Sequence, residues 1–316
     1  MTPHNEIHNM KYRSAIVTGG SGFIGSHLVD ALVERGVAVT VIDLVLPADD
    51  VKNAKATYKV ADIRSAEMTT VFLSVRPEMV FHLAAHIDDR ASVLDPVLNA
   101  EHNILGTLHV LEATRKAGVK RFVFASTGIA YGRADVIPTP ESTVSKPLTP
   151  YAVSKLTCER YLKCYESVHG LSWMALRFAN VYGPRQDGSK ECGAIAIFTK
   201  RILAGESIMM NNNGQTTRDY VYVNDVVNGL IAAADSEACE VVNIGTAQQT
   251  ATESLLNLVE AAVGKASEHI PRPDVADEVK NCALAIEKAR KLLNWAPIMA
   301  LKPGIEETVD WYKRRL

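Results

Sequence analysis

The 316-residue sequence lacks the features that mark membrane proteins, nucleic-acid-binding proteins and secreted proteins. No apolar run reaches the roughly 20 residues that a membrane-spanning helix needs. The net charge of −2 gives no field that would gather nucleic acid or anionic lipid. Residues 1–11 are polar and do not read as a secretory signal. We therefore expect a cytoplasmic protein that binds neither membranes nor nucleic acids.

Cysteine is also scarce and unpatterned. The sequence has neither a Cys-x-x-Cys pair nor a Cys/His cluster, and its five cysteines are Cys158, Cys164, Cys192, Cys239 and Cys282. An odd, scattered set favours reduced thiols over a disulfide framework, which again suits the cytoplasm. The same scatter predicts no metal site.

The first 180 residues alternate short apolar, β-branched runs with helical patterns. The predicted strands are Ser14–Val17, Val37–Asp43, Tyr58–Ala61, Met79–Ala84, Arg121–Ala125 and Trp173–Phe178. The predicted helices are Phe23–Arg35, Ala66–Ser74, Val97–Ala117 and Tyr151–Val168. Short, mainly apolar strands suit a parallel sheet that helices cover on both faces. The alternation predicts an α/β fold with a doubly wound parallel (Rossmann) sheet, which binds ligands beyond the carboxyl ends of its strands.

The pattern changes after Asn180. A loop rich in Gly, Pro and charge (182–193) and a polar turn (211–214) flank a predicted helix, Ile195–Ala204. One more strand is predicted at Val241–Gly245, and the helical C-terminal third ends in an amphipathic stretch, Ile305–Arg314. These segments predict a smaller α/β C-terminal lobe for the substrate.

The two lobes are predicted to share the chain in alternation. We assign 11–178 plus about 222–248 to the dinucleotide-binding domain. The substrate-binding lobe then takes about 179–221 plus 249–316. No internal repeat interrupts this division.

A glycine loop, Thr18–Gly25 (TGGSGFIG), follows the first strand and opens the first helix. Glycines allow a sharp turn and let the backbone approach a pyrophosphate, which then lies at the positive end of the helix. Asp43 ends the next strand, where a carboxylate can accept hydrogen bonds from ribose hydroxyls and would repel a 2′-phosphate. No Arg or Lys follows among residues 44–46. The sequence therefore favours NAD over NADP.

Tyr151 and Lys155 stand one helical turn apart on the same face. A phenol with a pKa near 10 is a poor base, and lowering that pKa by about three units needs roughly 4 kcal/mol of preference for the phenolate. Lys155 and a bound, cationic nicotinamide ring could supply it. The bare spacing is more often a solvated helix face. Here the helix follows the strand Arg121–Thr127 of the same sheet, and the hydroxyl of Thr127 at its end could bond the reacting oxygen.

With these motifs in view, the chain resembles an extended short-chain dehydrogenase/reductase of the NAD-dependent nucleotide-sugar epimerase/dehydratase family. The similarity runs from about Tyr12 to the C-terminal end. Besides TGGSGFIG, the matching segments are Ala61–Ile63, HLAA (His82–Ala85), NILGT (Asn103–Thr107), FASTGIAYG (Phe124–Gly132), YAVSK (Tyr151–Lys155), LRFANVYGPRQ (Leu176–Gln186) and TRDYVYVNDV (Thr217–Val226).

The resemblance implies a set of contacts. Those to NAD are Gly19, Gly22, Phe23, Ile24, Gly25, Asp43, Asp62, Ile63, Leu83, Ala84, Ala85, Asn103, Tyr151, Lys155 and Phe178. Tyr151 would be the catalytic base, with Lys155 and Thr127 as its partners. The sugar nucleotide would contact Thr127, Tyr151, Asn180, Arg218, Arg272 and Cys282. Guanidinium groups bind phosphate bidentately, which suits both arginines, although surface ion pairing remains an alternative for each.

Five residues bear on the reaction and the substrate. Family dehydratases typically carry an Asp-Glu pair directly after the Ser/Thr, whereas Gly128 and Ile129 here do not titrate. Hydride transfer alone remains, which implies 4-epimerisation with tightly held, recycled NAD. Cys282 falls where relatives carry a size gate, and a small residue there admits UDP-N-acetylhexosamines besides UDP-glucose and UDP-galactose; a buried core cysteine is the alternative. His86 and Arg90 follow HLAA as ligand contacts or as ordinary surface residues.

Several alternatives stay open. Within the family they are a UDP-glucuronate epimerase, a decarboxylase and a dehydratase. A hydroxysteroid or dihydroflavonol reductase on the same scaffold would have no pyrophosphate for Asn180 and Arg218 to bind. A non-catalytic NAD-sensing protein is the alternative from another class, although such relatives often lose the Tyr or Lys. The helices around 97–117 and 151–168 resemble a pair that forms a four-helix homodimer interface, so a homodimer is expected.

Overall fold

The computed structural model describes residues 10–188, 193–272 and 279–315. Its centre is a seven-stranded sheet in which every pairing is parallel. The strands are β1 (Ser14–Thr18), β2 (Ala38–Asp43), β3 (Thr57–Val60), β4 (Met79–His82), β5 (Arg121–Thr127), β6 (Trp173–Phe178) and β11 (Glu240–Ile244). Their order is β11-β6-β5-β4-β1-β2-β3, so the chain winds outward in both directions from β1 and β4. The predicted doubly wound α/β fold is confirmed.

Eleven α-helices occur in the described residues. They are α1 (Phe23–Glu34), α2 (Met68–Val75), α3 (Asp89–Leu94), α4 (Pro96–Ala100), α5 (Gly106–Ala117), α6 (Pro150–His169), α7 (Ala194–Ala204), α8 (Val223–Asp235), α9 (Thr252–Val263), α10 (Glu287–Leu293) and α11 (Leu301–Lys313). The helix predicted at Val97–Ala117 is present as α4 and α5, joined by a π-helical turn at Glu101–Leu105. The sequence did not predict α3, which follows β4.

Helices pack on both faces of the sheet. Leu28 and Leu32 of α1 lie in the hydrophobic cluster on one face, and Phe72 of α2, Leu111 of α5 and Leu162 of α6 lie in the cluster on the other. All five side chains are fully buried. Each buried side chain of this size contributes about 1.5–3 kcal/mol, so the two clusters fix the positions of the strand ends that carry the site.

A third hydrophobic cluster marks the smaller lobe. Helices α7, α9 and α11 surround it, through residues such as Phe198, Leu256 and Ile305. The short strands outside the central sheet are β7 (Asn180–Tyr182), β8 (Ile208–Asn211), β9 (Thr217–Arg218), β10 (Tyr220–Tyr222), β12 (Thr250–Ala251) and β13 (His269–Arg272). They pair as β7 with β10, β8 with β13 and β9 with β12.

Helix α10 packs against the central sheet. Its residues Ala289 and Leu293, and Trp295 after it, pack in the sheet-face cluster of α1 rather than in the third cluster. The predicted lobe boundaries stay a prediction.

Three kinds of feature are absent from the described part of the chain. None of its helices is long and apolar enough to cross a membrane. Within residues 10–188, 193–272 and 279–315, no group of three or more His, Cys, Asp or Glu side chains could hold a metal ion. Cys158, Cys164, Cys239 and Cys282 are free thiols, and Cys192 lies outside the described residues.

Candidate active site

The site begins where the sheet order reverses, between β1 and β4. The carboxyl ends of these strands are level, since Thr18 is paired with His82. Gly19 follows β1 with a φ of +73°, and a Cβ atom there would lie 2.6 Å from the backbone nitrogen of Ala84. The glycine loop and the segment after β4 therefore meet at backbone distance, which only a glycine at this position allows.

The loop leads into α1 without a side-chain cap. Gly22 precedes the first helical residues, Phe23 and Ile24, and has no side chain to bond their N–H groups. A Cβ atom at Gly25 would overlap the carbonyl oxygen of Gly19. The start of α1 is thus a cradle of backbone donors at the positive end of a helix, and this fits the pyrophosphate of a dinucleotide.

Asp43 lies at the end of β2, beside this cradle. Its carboxylate accepts hydrogen bonds from the backbone N–H of Ser21 at 2.9 Å and of Leu44 at 2.7 Å. The glycine loop therefore holds the carboxylate in place. No cation follows on the exposed residues 44–46, so the arrangement suits the free ribose hydroxyls of NAD.

Asp62 and Ile63, two of the predicted contacts to NAD, follow β3. Arg64 donates two hydrogen bonds to Asp62 Oδ2, at 3.0 and 2.6 Å. The Arg64 guanidinium lowers the pKa of Asp62 below its ordinary value. Ile63 is buried, and a Cβ atom at Gly106 would lie 2.7 Å from its Cδ1 atom. A carboxylate thus stands beside an apolar side chain, and the contacts of Asp62 and Ile63 with NAD stay a prediction.

His82, the last residue of β4, is hydrogen-bonded to β1 and to α5. Its Nδ1 atom lies 2.6 Å from Thr18 Oγ1, and its Nε2 atom lies 2.9 Å from Thr107 Oγ1. Complete burial, and secondarily the charge of Lys155, lower the pKa of His82 to about 3, so the ring is neutral at neutral pH. This role of His82 was not predicted, although the HLAA motif was the available signal.

Asn103 supports the segment after β4. Its Oδ1 atom accepts from the backbone N–H of His86 at 2.7 Å, and its Nδ2 atom donates to His86 O at 3.1 Å and to Ser154 Oγ at 3.0 Å. The side chain therefore connects His86, which follows Leu83, Ala84 and Ala85, to Ser154 of α6. Its predicted contact with NAD stays a prediction.

A cavity of about 280 Å³ opens beyond the ends of β5 and β6. Its described lining includes Asp89, Thr127, Tyr151, Asn180, Gln186 and Tyr220. The structure thus brings three predicted residues, Thr127, Tyr151 and Asn180, to one space. Asp89 and Gln186 were not predicted, and His86 and Arg90 are absent from the described lining. The cavity is large enough for a sugar ring next to a phenol and a hydroxyl.

Lys155 lies behind Tyr151 on α6 and is almost fully buried. Its ammonium group donates to the carbonyl oxygen of Ala125 at 2.9 Å and lies 4.8 Å from the centre of the Phe124 ring. Burial lowers the pKa of Lys155 to about 8. A cation held one turn from a phenol favours the phenolate, so this pair can form a base.

A buried ion pair, which was not predicted from the sequence, lies near Tyr151 and Lys155. Arg177 of β6 donates to both oxygens of Glu159 of α6, at 2.9 and 2.6 Å. Ser126 donates to the same carboxylate at 2.6 Å, and the ring of Tyr131 stacks 4.4 Å from the guanidinium carbon. The network anchors the carboxyl end of β5, where Thr127 is the last residue. A signal was present, since Glu159 continues the four-residue spacing of Tyr151 and Lys155.

The remaining predicted residues lie outside the described cavity lining. Arg218 ends β9 and donates to the carbonyl oxygen of Thr217 at 2.9 Å. Burial raises the pKa of Cys282, and the nearby charge of Arg218 opposes that rise. Arg272 ends β13 with an exposed side chain. Phe178 is buried at the end of β6, beside Thr127 in register.

Comparison with known proteins agrees with this site. The model of the NAD dependent epimerase/dehydratase family matches residues 15–245. The chain belongs to this family. A Methanocaldococcus jannaschii protein named putative UDP-glucose 4-epimerase is 39% identical over 94% of this chain and 98% of its own length. More distantly, a UDP-glucuronate 4-epimerase of Thermodesulfobacterium geofontis is 31% identical over 95% of this chain and 96% of its own length.

Solved structures of family members are similar throughout. The UDP-glucose 4-epimerase of Thermotoga maritima with UDP-glucose has a TM-score of 0.93 and 41% identity, covering 96% of this chain and 99% of its own. The Thermus thermophilus UDP-glucose 4-epimerase complex with NAD has a TM-score of 0.90 and 37% identity, covering 96% and 100%. NAD is therefore the cofactor of this epimerase-family chain, and its glycine loop and Asp43 fit that cofactor.

Replacing Gly25 with alanine should remove most of the bound NAD. The new Cβ would overlap the Gly19 carbonyl, so the loop must move away from its cradle geometry at a cost of about 1–3 kcal/mol. NAD released from the denatured protein, measured by chromatography, checks the loss. Gly264→Ala is the control and should keep its NAD. This substitution also strains the backbone, because φ is +83° there, but no atom lies within 4 Å of the added Cβ. Unchanged NAD content in Gly25→Ala would contradict this geometry.

Proposed function

We propose that this protein is a UDP-glucose 4-epimerase. The observation that carries the proposal is the cavity shared by Thr127 and Tyr151, since Gly128 and Ile129, the two residues directly after β5, offer no acid or base. Ile129 lines that cavity with an apolar side chain. A Cβ atom at Gly128 would lie 3.0 Å from the Leu284 side chain, so a larger acidic side chain there would have to displace Leu284. The site favours proton and hydride movement at one carbon over elimination of water.

In the proposed mechanism Tyr151 acts at the C4 hydroxyl of the sugar. Its phenolate removes the hydroxyl proton, while the Lys155 ammonium lowers the pKa of the phenol. Thr127 donates a hydrogen bond to the reacting oxygen. Removal of hydride from C4 and its return are the chemistry that bound NAD supplies. After the 4-keto sugar has turned its other face, Tyr151 returns the proton and the 4-epimer leaves.

The nucleotide is proposed to lie along the smaller lobe. We assign Asn180 to the sugar nucleotide, and Arg218 and Arg272 to its phosphates, since guanidinium groups match phosphate oxygens. Cys282 beside Arg218 is assigned to the sugar substituent as the size gate. The small side chain is the reason to include UDP-N-acetylhexosamines among the substrates to be tested.

The activity should fall above a pH of about 8. Burial lowers the pKa of Lys155 to about 8, so its ammonium loses its proton above that pH. Without the positive charge the phenolate of Tyr151 is no longer favoured, and kcat/KM decreases on the alkaline side. A profile of kcat/KM between pH 6 and 10 measures this limb. A constant kcat/KM from pH 7 to pH 10 would contradict the role given to Lys155.

A panel of nucleotide sugars tests the function. The purified protein, without added NAD, is incubated with UDP-glucose, UDP-N-acetylglucosamine and UDP-glucuronate, and NMR identifies the products. We expect UDP-galactose from UDP-glucose at the highest rate. Loss of water or carbon dioxide would favour a dehydratase or a decarboxylase. No conversion of any sugar, with NAD still bound, would favour a non-catalytic NAD-sensing protein.

We propose that the protein is a homodimer. One face of α6 carries exposed apolar residues at Val153, Tyr161 and Val168, and the adjacent α4–α5 segment exposes Val97 and Leu105. Exposed apolar residues on neighbouring helices favour burial against a partner, here a second copy. Light scattering should give twice the 34.4 kDa of one chain, and Val153→Lys with Tyr161→Lys should give the monomer. A monomeric unmodified protein at micromolar concentration would contradict the proposal.

We also propose that the protein works in the cytoplasm. The four described cysteines are free thiols, as a reducing compartment would keep them. Fractionation of cells that produce the protein tests this assignment.

A further inference from the structure

We propose that Asp89 makes this site selective for an uncharged hexose and excludes sugars that carry a carboxylate. The proposal rests on the proposed function, because it concerns the sugar that enters the same cavity. Its substrate class is a nucleoside diphosphate linked to a neutral sugar. Uronic acid nucleotides, which relatives of this chain use, are the excluded class.

The first observation is the position of Asp89. The residue begins α3, directly after the segment that follows β4, and it lines the cavity together with Thr127 and Tyr151. Among the described lining residues it is the one charged side chain. A sugar carboxylate entering the cavity would meet this negative charge, and the described lining offers no lysine or arginine to compensate it.

The second observation is that the carboxylate is held in place. The hydroxyl of Thr149 donates to Asp89 Oδ1 at 2.5 Å, and the same hydroxyl accepts the backbone N–H of Ala152 at 3.3 Å. The backbone N–H of Tyr151 donates to Ser92 Oγ at 3.1 Å. Two bonds therefore join α3 to the first turn of α6, so Asp89 cannot swing away without disturbing the turn that carries Tyr151.

The third observation is that the fold needs an acceptor at this position but not a charge. Asparagine would accept the Thr149 hydrogen bond equally well through its own Oδ1 atom. The Thr149 hydrogen bond occupies Asp89 Oδ1, so Oδ2 can accept from sugar hydroxyls. Gln186 lines the same cavity and has a buried Oε1 atom without a partner in the described residues, which adds a neutral polar group. Hydroxyls satisfy such groups, whereas a second carboxylate repels Asp89.

The test compares UDP-glucose with UDP-glucuronate in four proteins. These are the unmodified enzyme, Asp89→Asn, Asp89→Glu and Asp88→Asn. Asp88 is the matched control, because it carries the same charge one residue earlier, caps α3 by accepting from Ala91 N–H and is absent from the described cavity lining. The measurements are kcat/KM for each sugar and, independently of turnover, the Kd of each by calorimetry.

We expect Asp89→Asn to improve the binding and use of UDP-glucuronate relative to UDP-glucose by at least about tenfold. Asp89→Glu keeps the charge and should keep the exclusion, as should Asp88→Asn. If Asp89→Asn does not fold, Asp89→Ser replaces it as the neutral variant. An unchanged preference in the neutral variant, or an unmodified enzyme that binds both sugars equally, overturns the proposal. Absence of any turnover would refute the proposed epimerase, while the Kd ratios would still test Asp89.

Discussion

Tyr151→Phe should lower kcat by about a thousandfold or more while NAD stays bound. The substitution removes one hydroxyl from the cavity and leaves the ring that packs at the start of α6. Without that hydroxyl, the site loses the group whose deprotonation the Lys155 cation favours. Initial rates of UDP-galactose formation measure kcat, and chromatography of the released cofactor measures NAD content.

The comparison variant for this prediction is Lys155→Met. It keeps the Tyr151 hydroxyl but removes the cation that favours the phenolate, so we expect a comparable loss and no alkaline limb near pH 8. A Tyr151→Phe protein within about tenfold of the unmodified rate would show that another group acts as the base. If that variant also kept its role in cells, the NAD-sensing alternative would gain.

Glu159→Gln should destabilise the protein by about 3–5 kcal/mol, because it leaves the Arg177 guanidinium buried without its counter-charge. Both partners are less than a tenth exposed and share two hydrogen bonds. Ser126 would lose its charged acceptor as well, and Thr127 follows it at the end of β5. Denaturant titration measures the free energy of unfolding, and kcat of the folded fraction should fall too.

An exposed pair serves as the control for this prediction. Glu240 is half exposed and pairs with Lys288 at 2.7 Å, so Glu240→Gln should cost at most about 1 kcal/mol. Replacing both members of the buried pair, with Glu159→Leu and Arg177→Met, should recover part of the lost stability, since no buried charge remains. Equal losses in Glu159→Gln and Glu240→Gln would refute the anchoring role of the buried pair.

The sheet and the cofactor end of the site could be predicted from local sequence. Each long strand is an apolar run, and the parallel order places the ends of β1, β2 and β4 together. The glycine loop follows β1 and Asp43 ends β2, so this strand order places them next to each other. In the structure, the Ser21 N–H donates a hydrogen bond to the Asp43 carboxylate. Tyr151 and Thr127 could also be predicted, because Thr127 ends a strand and Tyr151 lies at the start of the next α-helix.

The missed features depend on contacts between distant segments. Asp89 lies in a short helix after β4, and only the packing of α3 against α6 places it beside Tyr151. The Glu159–Arg177 pair joins a helix to a strand, and neither residue type predicts burial. Strands such as β9 and β12 are two residues long, and their pairing with each other rather than their own sequence defines them.

In the proposed reaction, hydrogen leaves C4 and returns to C4 within one active site. UDP-glucose that carries deuterium at C4 tests this course, with the purified protein in ordinary water and no added NAD. We expect UDP-galactose that keeps the deuterium at C4, detected by NMR and mass spectrometry. Product that has exchanged C4 deuterium for solvent hydrogen, or product formed only when NAD is supplied in stoichiometric amounts, would contradict it.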